Sequence, residues 1–185
     1  TALDRYLAGL ASLQADFSQT LTDSRGRNLE ALDGKLIVLR PGRFRWEVRP
    51  RGSASAEPTQ LMVADGRNVW FYDRELEQVT VKPAAGALTA TPAMLLSGTV
   101  DIHAAFELRA AGRSAGLEWV RVIPRRGDAE FREARLGFTA GELRRMEIDD
   151  KLGQRAVLNF AAARRNFSVP PEKLQFTPPP GVDVI

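Results

Sequence analysis

The sequence predicts a mostly β fold: ten or eleven antiparallel strands with two or three helices, arranged as a sheet, sandwich or barrel. Two observations carry this. Asp33–Asp73 holds four strand-like runs joined by Arg40-Pro41-Gly42, by a polar loop and by Asp65-Gly66. From Phe106 onward, short β-type runs recur with turn residues about every ten positions. The Asp33–Asp73 meander carries Phe44, Trp46 and Trp70, an apolar load that suits the curved wall of a container.

Taken in order, Leu3, Tyr6, Leu7, Leu10, Leu13 and Phe17 recur at helical spacing, which predicts an amphipathic helix over residues 2–19. Thr1 can cap it, with Asp4 three positions on. Such a helix docks on a sheet or lids a cavity. Ser24–Asn28 reads as a turn and Ala31–Leu39 as a strand, apolar on both faces at Leu36–Leu39. Pro41 removes a ladder donor and ends it. Phe44, Trp46 and Val48 then alternate with Arg43, Arg45 and Glu47, a period of two that puts aromatics and arginines on opposite faces. Pro50–Pro58 is a polar loop, and Val69–Tyr72 and Gln78–Lys82 are the next strands. Pro83–Ala90 reads as a small-residue linker. After it, Thr91-Pro92 starts a short apolar helix, Ala93–Ser97, with Thr91 as cap. The remaining strands are Phe106–Ala110, Leu117–Ile123, Phe131–Thr139, Leu143–Asp149 and Ala156–Phe160. The proline-rich tail from Phe176 is unsuited to a central strand.

The 185 residues are expected to form one domain, residues 1–185. No apolar run approaches the roughly 18 residues of a membrane span, and any signal peptide is expected to have been removed. Cysteine is absent, so these residues hold no disulfide, thiol nucleophile or lipid-anchored Cys. The net charge is +3, and of 26 basic residues only Lys35, Lys82, Lys151 and Lys173 are lysines. The 23 acids are interspersed among them, so no basic block marks a nucleic-acid site.

Catalytic patterns are missing. His103, the only histidine, has no second ligand or nucleophile near it in sequence. No glycine-rich phosphate loop occurs, and Asp149-Asp150 sits at a turn, where Asp is favoured for backbone bonding. No enzyme activity, metal or cofactor is expected.

A family resemblance runs almost end to end. It rests on Leu10–Thr20, Gly34-Lys35-Leu36, Arg40–Trp46, Asp65-Gly66, Val69–Asp73, Glu77-Gln78, Thr91-Pro92 with Met94-Leu95, Asp150–Gln154 and Phe176–Gly181. In their order and spacing these resemble LolA, the family of periplasmic carriers that move lipoproteins from the inner to the outer membrane of Gram-negative bacteria. The resemblance implies an incomplete, strongly curved antiparallel barrel, with helices lidding an apolar cavity that holds acyl chains. It implies that Arg40 latches the lid through hydrogen bonds, since a guanidinium can serve several helix carbonyls. Cavity and lid residues are then Leu10, Leu13, Phe17, Trp46, Val48, Trp70, Met94, Leu95 and Leu96, and Phe44 matches the family's contact to its transporter. Ala93 departs from the larger apolar residue expected there, which would widen the cavity or weaken the lid. The implied partners are acylated lipoproteins, an inner-membrane ABC transporter and the outer-membrane receptor LolB, and the chain is expected to act as a monomer. The neighbouring readings are a carrier of another lipid or glycolipid, a periplasmic sensor and an enzyme on the same fold. LolB itself is disfavoured by the missing cysteine.

Overall fold

The computed structural model describes residues 1–84, 92–127 and 129–185. Most of the expected small-residue linker, the Thr91 cap and Asp128 lie outside the described residues. Twelve strands form one sheet. They are β1 (Ser12–Thr22), β2 (Asn28–Leu39), β3 (Arg43–Pro50), β4 (Gln60–Asp65), β5 (Asn68–Asp73), β6 (Gln78–Pro83), β7 (Phe106–Ser114), β8 (Leu117–Pro124), β9 (Phe131–Thr139), β10 (Glu142–Asp150), β11 (Arg155–Arg165) and β12 (Asp183–Val184). Their order is β12-β6-β5-β4-β3-β2-β1-β11-β10-β9-β8-β7, so the sheet is open and β7 does not meet β6. Every pairing is antiparallel except β12 on β6. Among the described residues three short α-helices accompany it: α1 (Ala2–Ala8), α2 (Pro92–Ser97) and α3 (Ile102–Ala105).

The first element corrects the expectation. The helix stops at Ala8, and residues from Ser12 form the central strand β1. Thr1 does cap α1 through a capping box with Asp4. The misreading has a physical cause. Leu13 and Phe17 are four apart, a spacing that lies on one face of a helix and equally on one face of a strand. Ala15 decides it: Leu13, Ala15 and Phe17 are all buried, with period two. β1 is bonded on both sides, to β2 and β11. A helix there would leave two ladders of backbone groups unpaired. The strand count exceeds the expected ten or eleven because of β1 and of the two-residue β12.

Cross-strand partners share a face. One inner row runs Leu13, Val38, Phe44, Ala64 and Val69. The next runs Ala15, Leu36, Trp46, Met62 and Phe71. These residues, with Phe160, Leu158, Met146, Leu136 and the apolar faces of α1 and α2, make one continuous core. On the outer face of β3, Arg45 and Arg49 both reach Glu47, at 3.1 and 3.4 Å. Arginines and aromatics therefore do occupy opposite faces, as the alternation predicts.

Part of the outer face is covered by the C-terminal segment. A 3-10 turn, Pro171–Leu174, packs on β3 and β4. Phe176 sits against Trp70 and Tyr72, with ring centroids 5.6 and 5.8 Å away. Val63 and Val79 are fully buried although they lie outside the main core cluster.

Candidate functional site

The inner face of β1–β5, β10 and β11 and the short helix α2 line the site. All six α2 residues, Pro92–Ser97, are buried, and the helix packs on β2 and β3. A six-residue apolar helix has little stability of its own; burial against the sheet holds it in place.

Its C-terminal end is tied to the β2–β3 turn. Nη1 of Arg40 donates to the carbonyl of Leu96 at 2.6 Å. The backbone N–H of Gly42 donates to the carbonyl of Ser97, also at 2.6 Å. The turn is anchored in turn by Arg40 N–H to the Ala11 carbonyl at 2.9 Å. Two carbonyls at a helix end are thus satisfied, one by a cation, which the helix dipole favours there. Among the described residues the side chain of Arg40 serves one carbonyl, that of Leu96. Burial holds its pKa below the ordinary guanidinium value. Gly98 has φ +75°, and a Cβ there would lie 3.5 Å from the guanidinium carbon of Arg40, so the glycine lets the chain turn away beside the charge.

At the other end of α2 a pocket of about 220 Å³ opens between Pro92, Leu32, Trp46, Val48, Ile148, Ala156 and Leu158, with Gln19 and Gln60 at its edge. A second groove of about 320 Å³ continues past Trp46 and Gln60 along Met62, Phe71 and Thr80. Trp46 stands between the two. Its ring stacks on Phe17 at 4.2 Å and 20°, and Phe17 also meets Phe160 at 6.1 Å. The ring of Phe17 lies directly over Gly34, where an added Cβ would fall 2.1 Å from Cζ. Gly34 is the residue that lets this stack form.

Of the expected cavity and lid residues, Leu10, Leu13, Phe17, Trp46, Val48, Met94, Leu95 and Leu96 are all in the core that α2 closes. Ala93 is fully buried among them. Trp70 is not there, and its expected role is corrected. It pairs with Val63, one register off the inner row, and so faces the C-terminal segment. Its indole N–H donates to Asp65 Oδ2 at 3.0 Å. Partial burial pushes the Asp65 pKa up, but the N–H groups of Asn68, Trp70 and Arg67 outweigh it and hold the carboxyl below its usual range. Phe44, expected to meet the transporter, is 0% exposed, in the inner row of β3 on which α2 packs. Leu32, Met62, Ile148, Ala156, Leu158 and Pro92 were missed. For Leu158, Phe160 and Met146, Ile148 the two-residue spacing is visible in sequence, but which face looks inward is not.

The site offers apolar surface and no reacting group. His103 lies outside it, on α3, with Nε2 2.6 Å from Oδ1 of Asp4 on α1. Among the described residues no group of three or more His, Cys, Asp or Glu could hold a metal.

Residues 8–177 match the family model described as outer membrane lipoprotein carrier protein LolA. An outer-membrane lipoprotein carrier protein of Dechloromonas aromatica is 40% identical over 99% of this chain and 85% of its own length. One from Chromobacterium violaceum is 38% identical over 99% and 85%. In fold the chain is similar to a LolA superfamily protein from Nitrosomonas europaea, with TM-score 0.53 and 11% identity over 95% of this chain and 96% of that one. It is likewise similar to an uncharacterized conserved protein from Thermus thermophilus, with TM-score 0.58 and 18% identity over 100% and 96%.

Proposed function

The chain belongs to the LolA family of outer membrane lipoprotein carrier proteins, and from that premise we propose that it is a non-enzymatic carrier of lipoproteins. It takes their acyl chains into the space between α2 and the inner face of the sheet. The observation that carries this is the pairing of an apolar pocket beside Trp46 and Val48 with a wholly buried helix held at one end by Arg40. Acting as a single-domain monomer in the periplasm, it receives cargo from an inner-membrane ABC transporter and yields it to the receptor LolB.

Magnitudes explain why such a carrier needs a lid. Burying one methylene contributes about 0.8 kcal/mol, so one chain of some fifteen contributes about 12 kcal/mol. Several chains fully buried would exceed the practical ceiling of about 18–21 kcal/mol, and the cargo could not be handed on. Moving α2 out exposes its six buried residues and breaks the Arg40 bond. That cost offsets part of the gain and leaves the affinity low enough for transfer.

Native mass spectrometry of the protein purified from a Gram-negative periplasm tests this. Acylated polypeptide bound to the chain is the expected result. Copurification of a diacyl or glycolipid without polypeptide would redirect the reading to another cargo. A clean mass, with no uptake of a fatty-acyl probe, would overturn it.

A further inference from the structure

A pocket of about 580 Å³, larger than either groove at α2, lies on the β7–β11 side of the sheet. Its walls are α1, the tips of the β7–β8 and β9–β10 hairpins and the end of β11. Ala2, Tyr6 and Phe138 supply its apolar side. Gly116, Ala140 and Gly141 belong to its rim. Both hairpins turn through Ala-Gly pairs with positive φ, +54° and +76° at Ala115 and Gly116, and +51° and +76° at Ala140 and Gly141. Turns of this shape favour Asn or Asp at the first position; alanine there keeps side-chain bulk off the rim.

Arg5, Arg113 and Arg165 line the same pocket. Two of them are held in place. Arg5 Nη2 pairs with Glu118 at 2.9 Å, and Arg165 Nη2 pairs with Glu142 at 2.9 Å. A guanidinium has five N–H donors, so both keep donors to spare. Arg113 enters no ion pair or hydrogen bond among the described residues. The acids are already engaged. Glu118 is the acid in the lining, Glu142 stands behind Arg165, and Asp4 on α1 is taken by the N-terminus and His103. Three cations therefore meet two acids, and neither acid is left without a partner.

The hydroxyl of Tyr6 is a second, independent observation. The residue is 4% exposed, and its Oη makes no hydrogen bond among the described residues. The phenol feels the charges of Glu142 and Arg165, and the Arg165 guanidinium stands 5.6 Å from its ring centroid. Its polar end therefore lies on the arginine side of the pocket. Buried hydroxyls are normally paired, and leaving one unpaired is costly. The phenol lacks an acceptor and Arg113 lacks an anion; one ligand group can serve both.

We infer that this pocket binds a small organic oxyanion, a carboxylate or phosphate carried on an apolar body about the size of one ring. The charged head accepts from Arg113, from the spare N–H groups of Arg5 and Arg165 and from the Tyr6 hydroxyl. Charge-assisted hydrogen bonds of this kind are the strong ones. The body lies against Phe138 and Ala2. The volume is that of a small-molecule site, and a fatty-acyl chain would set its methylenes against arginines. The site is separate from the one at α2 and is tested without cargo, so its failure leaves the carrier reading standing.

The test is an amide NMR titration of the cargo-free protein with benzoate and with phenyl phosphate, read at the N–H groups of Gly116 and Gly141. The expected result is a saturable shift at both glycines with at least one of the two anions, and none with benzyl alcohol, which has the ring without the charge. Inorganic phosphate lacks the ring and should bind at least about tenfold more weakly. Arg113→Ala should raise Kd about tenfold and Tyr6→Phe about fivefold. Both keep the fold, since Arg113 is exposed and Tyr6→Phe leaves the ring on Phe138. Arg25→Ala, in the β1–β2 turn, should leave Kd unchanged. No shift with either anion, equal binding of inorganic phosphate or benzyl alcohol, or wild-type Kd in both Arg113→Ala and Tyr6→Phe would each overturn the proposal. So would a loss with Arg25→Ala as large as that with Arg113→Ala.

Discussion

Arg40 and Leu96 meet as a charged donor on a helix-end carbonyl, 2.6 Å apart, and this contact joins the β2–β3 turn to the helix that covers the inner face. Arg40→Leu removes the donor and leaves the Leu96 carbonyl half-buried without it. A hydrogen bond to a charged group contributes about 1.5–3 kcal/mol, so the unloaded variant should unfold at lower urea by roughly that amount. In the carrier, the closed state competes with cargo for the same space. The variant should therefore load an acyl probe as well as wild type or better, and release it more slowly. Stopped-flow displacement of a fluorescent fatty acid measures both; release at the wild-type rate would sink the latch role.

Gly34→Ala should be costly for a different reason. The new methyl would fall 2.1 Å from Phe17 Cζ, so the ring must leave its place over the strand. That breaks the 4.2 Å stack on Trp46. Overpacking of this kind costs about 1–3 kcal/mol, measurable by urea titration. Phe17→Leu made in the same background should recover part of the loss, because the shorter side chain frees the space.

Trp70→Ala separates the two faces of the sheet. Trp70 contacts Phe176 and Asp65, away from the pocket. Because Trp70 is only half-buried, the substitution should destabilise the fold by less than a core Trp→Ala change, about 1–3 kcal/mol, and speed proteolysis after Pro170. Acyl-probe affinity of the folded fraction should stay within twofold of wild type. A large loss of probe binding would place Trp70 in the cargo path after all.

Trp70 also marks the limit of what sequence periodicity can tell. Alternation assigns residues to two faces of a strand, but does not say which face the rest of the chain covers. In β3 the arginines settle that question, because Arg43, Arg45 and Glu47 need water and Phe44, Trp46 and Val48 do not. In β5 both faces are apolar: Val69 and Phe71 look inward, and Trp70 and Tyr72 meet the C-terminal segment. That segment is proline-rich and carries no periodicity. β1 failed for a related reason, since Leu13 and Phe17 satisfy two periods at once and only the neighbours β2 and β11 choose between them. For Phe44 the face opposite to the arginines was legible, but its full burial depends on a helix docking that no local pattern specifies. The turns at Arg40–Gly42, Asp65-Gly66 and Asp150–Gly153 were legible because their chemistry is local.

Tyr6 supplies a pH prediction at the opposite edge of the sheet. Burial, helped by the negative charge of Glu142 and opposed by Arg165, pushes its phenol up to about 12. Its ring packs on Phe138 at 5.4 Å, so ionisation would put a charge into an apolar contact. The folded pKa lies above the unfolded value of about 10. The folded state therefore holds the proton more tightly, and this contribution is complete below pH 10. It is lost as pH rises from about 10 to about 12, by roughly 2–3 kcal/mol in all. Tyr6→Phe has no proton to lose. Its urea midpoint should fall less steeply over that interval than the wild-type midpoint does, and the difference between the two curves isolates Tyr6 from the lysines that titrate alongside it. Parallel curves would mean that the phenol reaches water in the folded protein, and that α1 does not seal this edge.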